Sequence, residues 1–98
     1  MVKVKLIKKN EDVVGFVCKG HANSNEYGKD LICAGVSSII TGGFNAFSKE
    51  DIESITLEEG YAEVILKSVE CKSKTVLDVI IIQLQTIEES YPKYIKIN

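Results

Sequence analysis

Two side chains in the stretch GHANSNEYGKDLICAGVSS, Gly20 to Ser38, can do covalent chemistry together: His21, the chain's only histidine, and Cys33. A thiolate attacks a carbonyl and a thiol does not, so a cysteine that works near neutral pH needs help to ionise. A neighbouring imidazole gives that help, and so does the N-terminus of a helix. Asp30 stands directly before an apolar run, in the place of an N-cap, which would make Cys33 the third residue of the first helical turn. Backbone N–H groups there favour negative charge and can hold the oxyanion of a tetrahedral intermediate. His21 lies 12 residues earlier, across a polar loop that can return it to the thiol. It would take the thiol proton and later give it to a leaving amine. Ala34 and Gly35 leave the backbone beside the thiol open to an extended substrate. Ser37 follows Cys33 by four residues, on the same helix face, where it can donate a hydrogen bond to substrate. Asp30 can orient His21 or simply cap.

The same residues have structural readings. Spacing alone leaves open whether His21 and Cys33 touch, and a cysteine at a helix start is often an inert core thiol. Cys18 falls on the apolar face of a strand and reads as a small core hydrophobe; Cys71 precedes a helix and reads as incidental. Cys18, His21, Cys33 and Cys71 make a Cys3His count, but Cys33 and Cys71 lack the second close pair that structural zinc sites show. No metal or cofactor is expected. There is no carboxylate pair, phosphate-binding loop or dinucleotide fingerprint.

The elements that must position these groups follow from hydrophobic period. Val2, Val4 and Leu6 alternate with Lys3, Lys5 and Ile7, and Val14, Phe16 and Cys18 alternate in the same way, giving two strands joined by Asn10-Glu11-Asp12. Gly20 ends the second strand, and residues 21–30 read as a loop. From Leu31 to about Ser48 the spacing of Leu31, Ala34, Val36, Ile39, Ile40, Phe44 and Phe47 predicts a helix. Gly42-Gly43 inside it costs about 1 kcal/mol per glycine relative to alanine, which calls for close packing or a kink. Ile52–Leu57, the turn Glu58-Glu59-Gly60, which reads as solvated, and Tyr61–Lys67 predict a second hairpin. Leu77, Ile80, Ile81, Leu84, Ile87 and Tyr91 line one face of a helix from Lys72 to Tyr91, stopped by Pro92. Tyr94–Ile97 is a last short strand. The order β-β-α-β-β-α-β predicts an α+β, two-layer sandwich: a largely antiparallel sheet of about five strands with two helices on one face.

With 98 residues, the chain has room for one core, so residues 1–98 are expected to form a single domain. An apolar share of 45% and a charged share of 27% are those of a soluble globular protein. No apolar run approaches the roughly 20 residues of a membrane helix. The lysine-rich N-terminus does not read as a secretion signal, and three thiols at scattered spacings fit a reducing, cytoplasmic setting. The net charge is −2 and every one of the 12 basic residues is lysine. Without arginine forks or a basic stripe, direct nucleic-acid binding is not expected.

Gly20-His21-Ala22, Gly28, Asp30, Cys33-Ala34 and Ser37, with the tail Tyr91-Pro92-Lys93-Tyr94-Ile95-Lys96, resemble the bacterial ribosomal-processing cysteine protease family, Prp, over the whole chain. The resemblance implies a cysteine endopeptidase that removes the N-terminal extension of a large-subunit ribosomal protein, number twenty-seven in the bacterial series, cutting after an aromatic residue. It implies His21 as general base, Cys33 as nucleophile, and Gly20, Asp30, Ala34 and Ser37 as supporting or substrate-binding positions. It further implies a homodimer and a mobile active-site loop, here Ala22–Lys29. The chain departs from the family in its loop residues Asn23–Tyr27, in Gly35 and in Gly42-Gly43, which bear on loop behaviour and cleavage preference. The rival function is a non-enzymatic ribosome-associated binding or assembly protein that uses the same loop with Cys33 buried.

Overall fold

A computed structural model describes residues 1–20 and 27–98, with only the backbone for 27–30. His21 and residues 22–26 lie outside the described residues. The elements are β1 (Val2–Lys9), β2 (Asp12–Lys19), α1 (Tyr27–Phe44), a short 3-10 turn (Lys49–Asp51), β3 (Ile52–Glu58), β4 (Tyr61–Leu66), α2 (Lys72–Ser90) and β5 (Ile95–Ile97). This is the expected order. Five strands form one sheet, β3-β4-β2-β1-β5, antiparallel except where β5 runs parallel to β1.

Strand period decides the layers. Val2, Val4, Val14, Phe16, Cys18, Ala62, Val64, Leu66 and Ile95 are buried on one face, where both helices pack. From α1 the buried stripe is Ile32, Val36, Ile40 and Phe44; from α2 it is Leu77, Ile80, Ile81 and Leu84. Phe44 links sheet to loop: its ring stands 6.0 Å from Phe16 and 5.7 Å from Phe47, both tilted.

Two expectations about α1 are corrected. It starts at Tyr27, so Tyr27–Asp30 are helix and not loop, and Asp30 is the fourth helical residue and not the N-cap. The apolar period marks where a helix meets the core, and the first buried residue is Ile32. The turns before it extend the backbone ladder without an apolar signal. The helix also ends at Phe44, four residues early, and Phe47 is buried from the turn that follows. Leu31 and Tyr91, counted on the apolar faces, are 62% and 49% exposed.

The α2 N-terminus has a cap from a distant residue. Cys71, in the N-cap position, makes no side-chain cap bond. Instead the Asp51 carboxylate accepts from the Ser73 hydroxyl at 2.7 Å and from the Ser73 N–H at 3.3 Å. The Ser73 hydroxyl in turn accepts from the Ser48 N–H at 3.0 Å, so Ser73 is fully buried yet satisfied.

The paired glycines of α1 divide in role. A Cβ at Gly43 would collide with the Ile80 side chain of α2, whereas one at Gly42 would meet nothing within 4 Å. Gly43 therefore supplies the close helix approach, and Gly42 only weakens the helix. Gly42→Ala should stabilise the protein by about 0.5–1 kcal/mol. Gly43→Ala should destabilise it by about 1–3 kcal/mol, because Ile80 is 2% exposed and cannot swing aside. Urea unfolding of the two variants checks the opposite signs.

Candidate active site

β2 and α1 carry the residues in question. β2 ends at Lys19, and Gly20 then turns the chain at φ +102. A side chain there would be strained, and its Cβ would lie 2.5 Å from the Met1 carbonyl oxygen. The Gly20 N–H donates to the Gly60 carbonyl at 3.0 Å. The residue before His21 is thereby fixed to the β3–β4 turn.

Cys33 is the seventh residue of α1, two turns inside the helix, and half-buried against the core. The activation expected from a helix start does not arise at this position, because the dipole effect fades within the first turn. The N–H groups left without helical partners are those of the first turn, not that of Cys33. What the structure gives Cys33 instead is a second thiol as neighbour. Cys18, on β2 and 5% exposed, has its pKa pushed up from 9.0 to about 11, chiefly by burial and then by the charge of Cys33. Cys18 is thus a buried protonated thiol beside a more accessible one, in keeping with its reading as a core hydrophobe. Cys71 is half-buried and its thiol donates to the Ser68 carbonyl at 3.4 Å, far along the chain from either.

Gly20, Cys18 and Ser37 meet in one cleft of about 70 Å³. Ser37 and Thr41 form the α1 wall, and Leu57, Glu58, Gly60 and Tyr61 form the opposite one. Ser37 is exposed, one turn beyond Cys33 on the same side of the helix, so the cleft begins one turn from Cys33, which does not itself line it. Ala34 is exposed too. The placement of His21 and of the Asp30 side chain lies outside the described residues. Sequence reasoning missed the β3–β4 wall: Glu58-Glu59-Gly60 reads as a solvated turn, and only the pairing of β2 with β4 brings it to the cleft. Thr41 was missed as well, although its i+4 spacing from Ser37 is a usable signal. Among the described residues no group of His, Cys, Asp and Glu could hold a metal ion, and no helix is long and apolar enough to cross a membrane.

A five-stranded mixed sheet with two helices on one face is the arrangement this chain shares with solved cysteine proteases. The family model for cysteine protease Prp matches residues 1–96, and the chain belongs to that family. It is 31% identical over 104 residues to the ribosomal processing cysteine protease Prp of Staphylococcus aureus, covering 100% of this chain and 98% of that protein. It is 38% identical over 95 residues to the protein of the same name from Mycoplasma genitalium, covering 95% of each. Among solved structures, it superposes on the S. aureus ribosomal processing protease in complex with a substrate peptide with a TM-score of 0.87, at 28% identity over 100% of this chain and 98% of the other. The protein is a cysteine protease of the ribosomal-processing family.

The raised Cys18 pKa predicts a stability profile. The folded value exceeds the unfolded one, so the folded state holds the proton more tightly. The resulting stabilisation is complete below about pH 9 and is lost as pH rises toward about 11. Cys18→Ala should flatten this alkaline loss, measured as urea midpoints from pH 8 to 11. At pH 8, iodoacetamide should alkylate Cys33 in the native protein well before Cys18, whose thiolate fraction is about one in a thousand; peptide mapping reads the order.

Proposed function

We propose that this protein is a cytoplasmic endopeptidase, one domain over residues 1–98, that removes the N-terminal extension of large-subunit ribosomal protein number twenty-seven. The observation that carries the reading is the cleft joining Gly20 and Ser37, one helical turn from Cys33, on a fold matched along its whole length by a protease solved with a substrate peptide. A further solved relative, the same S. aureus protease, holds a covalently linked product peptide, at a TM-score of 0.82. That supports a covalent route here.

In the proposed mechanism His21 removes the proton from Cys33 Sγ, and the thiolate adds to the scissile carbonyl carbon. The tetrahedral intermediate collapses, breaking the C–N bond, and the imidazolium gives its proton to the departing amine. A thioester remains. Water, deprotonated by His21, adds to the thioester carbonyl, the C–S bond breaks, and the proton returns to the thiolate. Since Cys33 lies two turns inside α1, the helix start is not the oxyanion donor in this mechanism; the Ser37 hydroxyl takes that role or bonds the neighbouring peptide group, a reading supported by its exposure in the cleft. Gly20 holds the chain before His21, Ala34 leaves room for substrate, and Asp30 orients the imidazole. No cofactor or metal takes part. The substrate lies extended in the cleft, where the small volume fits one small side chain or a main-chain segment. The active form is a homodimer, which the exposed Val79 and Ile82 of α2 favour.

A peptide spanning the ribosomal protein's extension should be cut once by wild type, after an aromatic residue, as read by mass spectrometry. Cys33→Ala should bind the peptide and cut it at least about a thousandfold more slowly, and His21→Ala should be similarly impaired. Ser37→Ala should lose roughly tenfold in kcat/KM, the worth of about one hydrogen bond. Normal turnover by Cys33→Ala removes the nucleophile assignment.

A further inference from the structure

The sheet face away from the helices carries a row of lysines that no single segment of the chain displays. Lys3 on β1 is paired across to Lys19 on β2 and, on its other side, to Lys96 on β5. Directly paired residues share a face, so the three ammonium groups leave the sheet together, along a line of about 10 Å. Lys5, two residues on from Lys3, adds a fourth at about 7 Å. All four are exposed. Lys3, Lys5 and Lys19 line one shallow groove of about 280 Å³ with Val17 and Asn98.

Like charges directly opposite in a sheet destabilise it. No ion pair holds them: Glu63 and Glu58 share this face beyond β2, but the sole ion pair among the described residues is Lys74–Asp78, on α2. The nearest acidic side chain, Glu63, faces Val17 and not Lys19, and its oxygens accept from the Ser54 and Tyr61 hydroxyls at 2.7 and 3.1 Å. Beside the row lies the Tyr61 ring, paired across from Lys19, whose ammonium sits 5.9 Å from the ring centroid. A line of cations with an aromatic ring alongside on an open sheet is the arrangement that tracks a phosphate backbone and stacks a base.

We propose that this face binds single-stranded RNA, with Lys3, Lys5, Lys19 and Lys96 on phosphates and Tyr61 stacked on a base. The expectation against nucleic acid rested on the lack of a basic stripe and of arginine; strand register builds a stripe, of lysine alone. The four lysines lie outside the cleft and Tyr61 stands at the border of the two; the test reads RNA binding and does not depend on peptidase activity.

The experiment is fluorescence anisotropy with a labelled, mixed-sequence RNA of about 12 nucleotides. Four phosphate contacts predict a slope of log affinity against log salt of about −2.8, so wild type should weaken roughly fifty-fold between about 50 and 200 mM KCl. In the Lys3→Gln/Lys96→Gln double variant the slope should fall to about −1.4. Its melting temperature should not drop, since neutralisation removes opposed like charges. Tyr61→Ala should weaken binding with the slope unchanged. Failure to saturate at about 50 mM KCl, or an unaltered slope in the double variant, overturns the proposal. Equal competition by a polyglutamate of matching charge would also overturn it, since the face would then read charge alone.

Discussion

The antiparallel pairing of β2 with β4 is the constraint that closes the cleft and brings Tyr61 beside the lysine row. Each hairpin is local, but neither buries its apolar face alone. β2 joins them, with β1 on one side and β4 on the other. At its centre Phe16 lies opposite Val64, both fully buried, and each such side chain contributes about 1.5–3 kcal/mol by leaving water. The register set there carries to the strand ends. It aligns Lys19 with Tyr61 and lets the Gly20 N–H reach Gly60, so the exit of β2 meets the β3–β4 turn.

Onto this sheet α1 is laid by Ile32, Val36, Ile40 and Phe44, a strict i+4 stripe. That stripe turns Ser37 and Thr41 toward the cleft and leaves Cys33 at the border between core and solvent. Half-burial suits the nucleophile role proposed for it: the residue packs against the core and keeps part of its surface in solvent. Its neighbour Cys18 shows the contrast, as full burial in an apolar core favours the neutral thiol. Burial, with the charge of Cys33 beside it, thus keeps the Cys18 thiol neutral.

Packing also explains which sequence signals misled. Apolar period located both helices because it reports contact with the core. It placed the start of α1 four residues late, since the first turns stand beyond the first buried residue. The consequence was chemical as well as structural: a cysteine assigned to a helix start proved to lie two turns inside. Ser73 gave no apolar signal at all, although it is buried, because its burial rests on a hydrogen bond to Asp51 from 22 residues away.

By itself the sequence determined the order of elements, the face of each strand that enters the core and the residue types able to do acyl transfer, because these depend on periods of two and 3.6 and on local chemistry. The Gly-His and Cys-Ala motifs at their spacing were enough to point to the family. Only the tertiary structure decided that Gly20, Ser37 and the 57–61 segment share a cleft, that Cys18 and Cys33 are neighbours, and that lysines from three strands stand in a row. Each of these joins residues far apart in the chain, and strand register together with the packing of α1 on the sheet sets it.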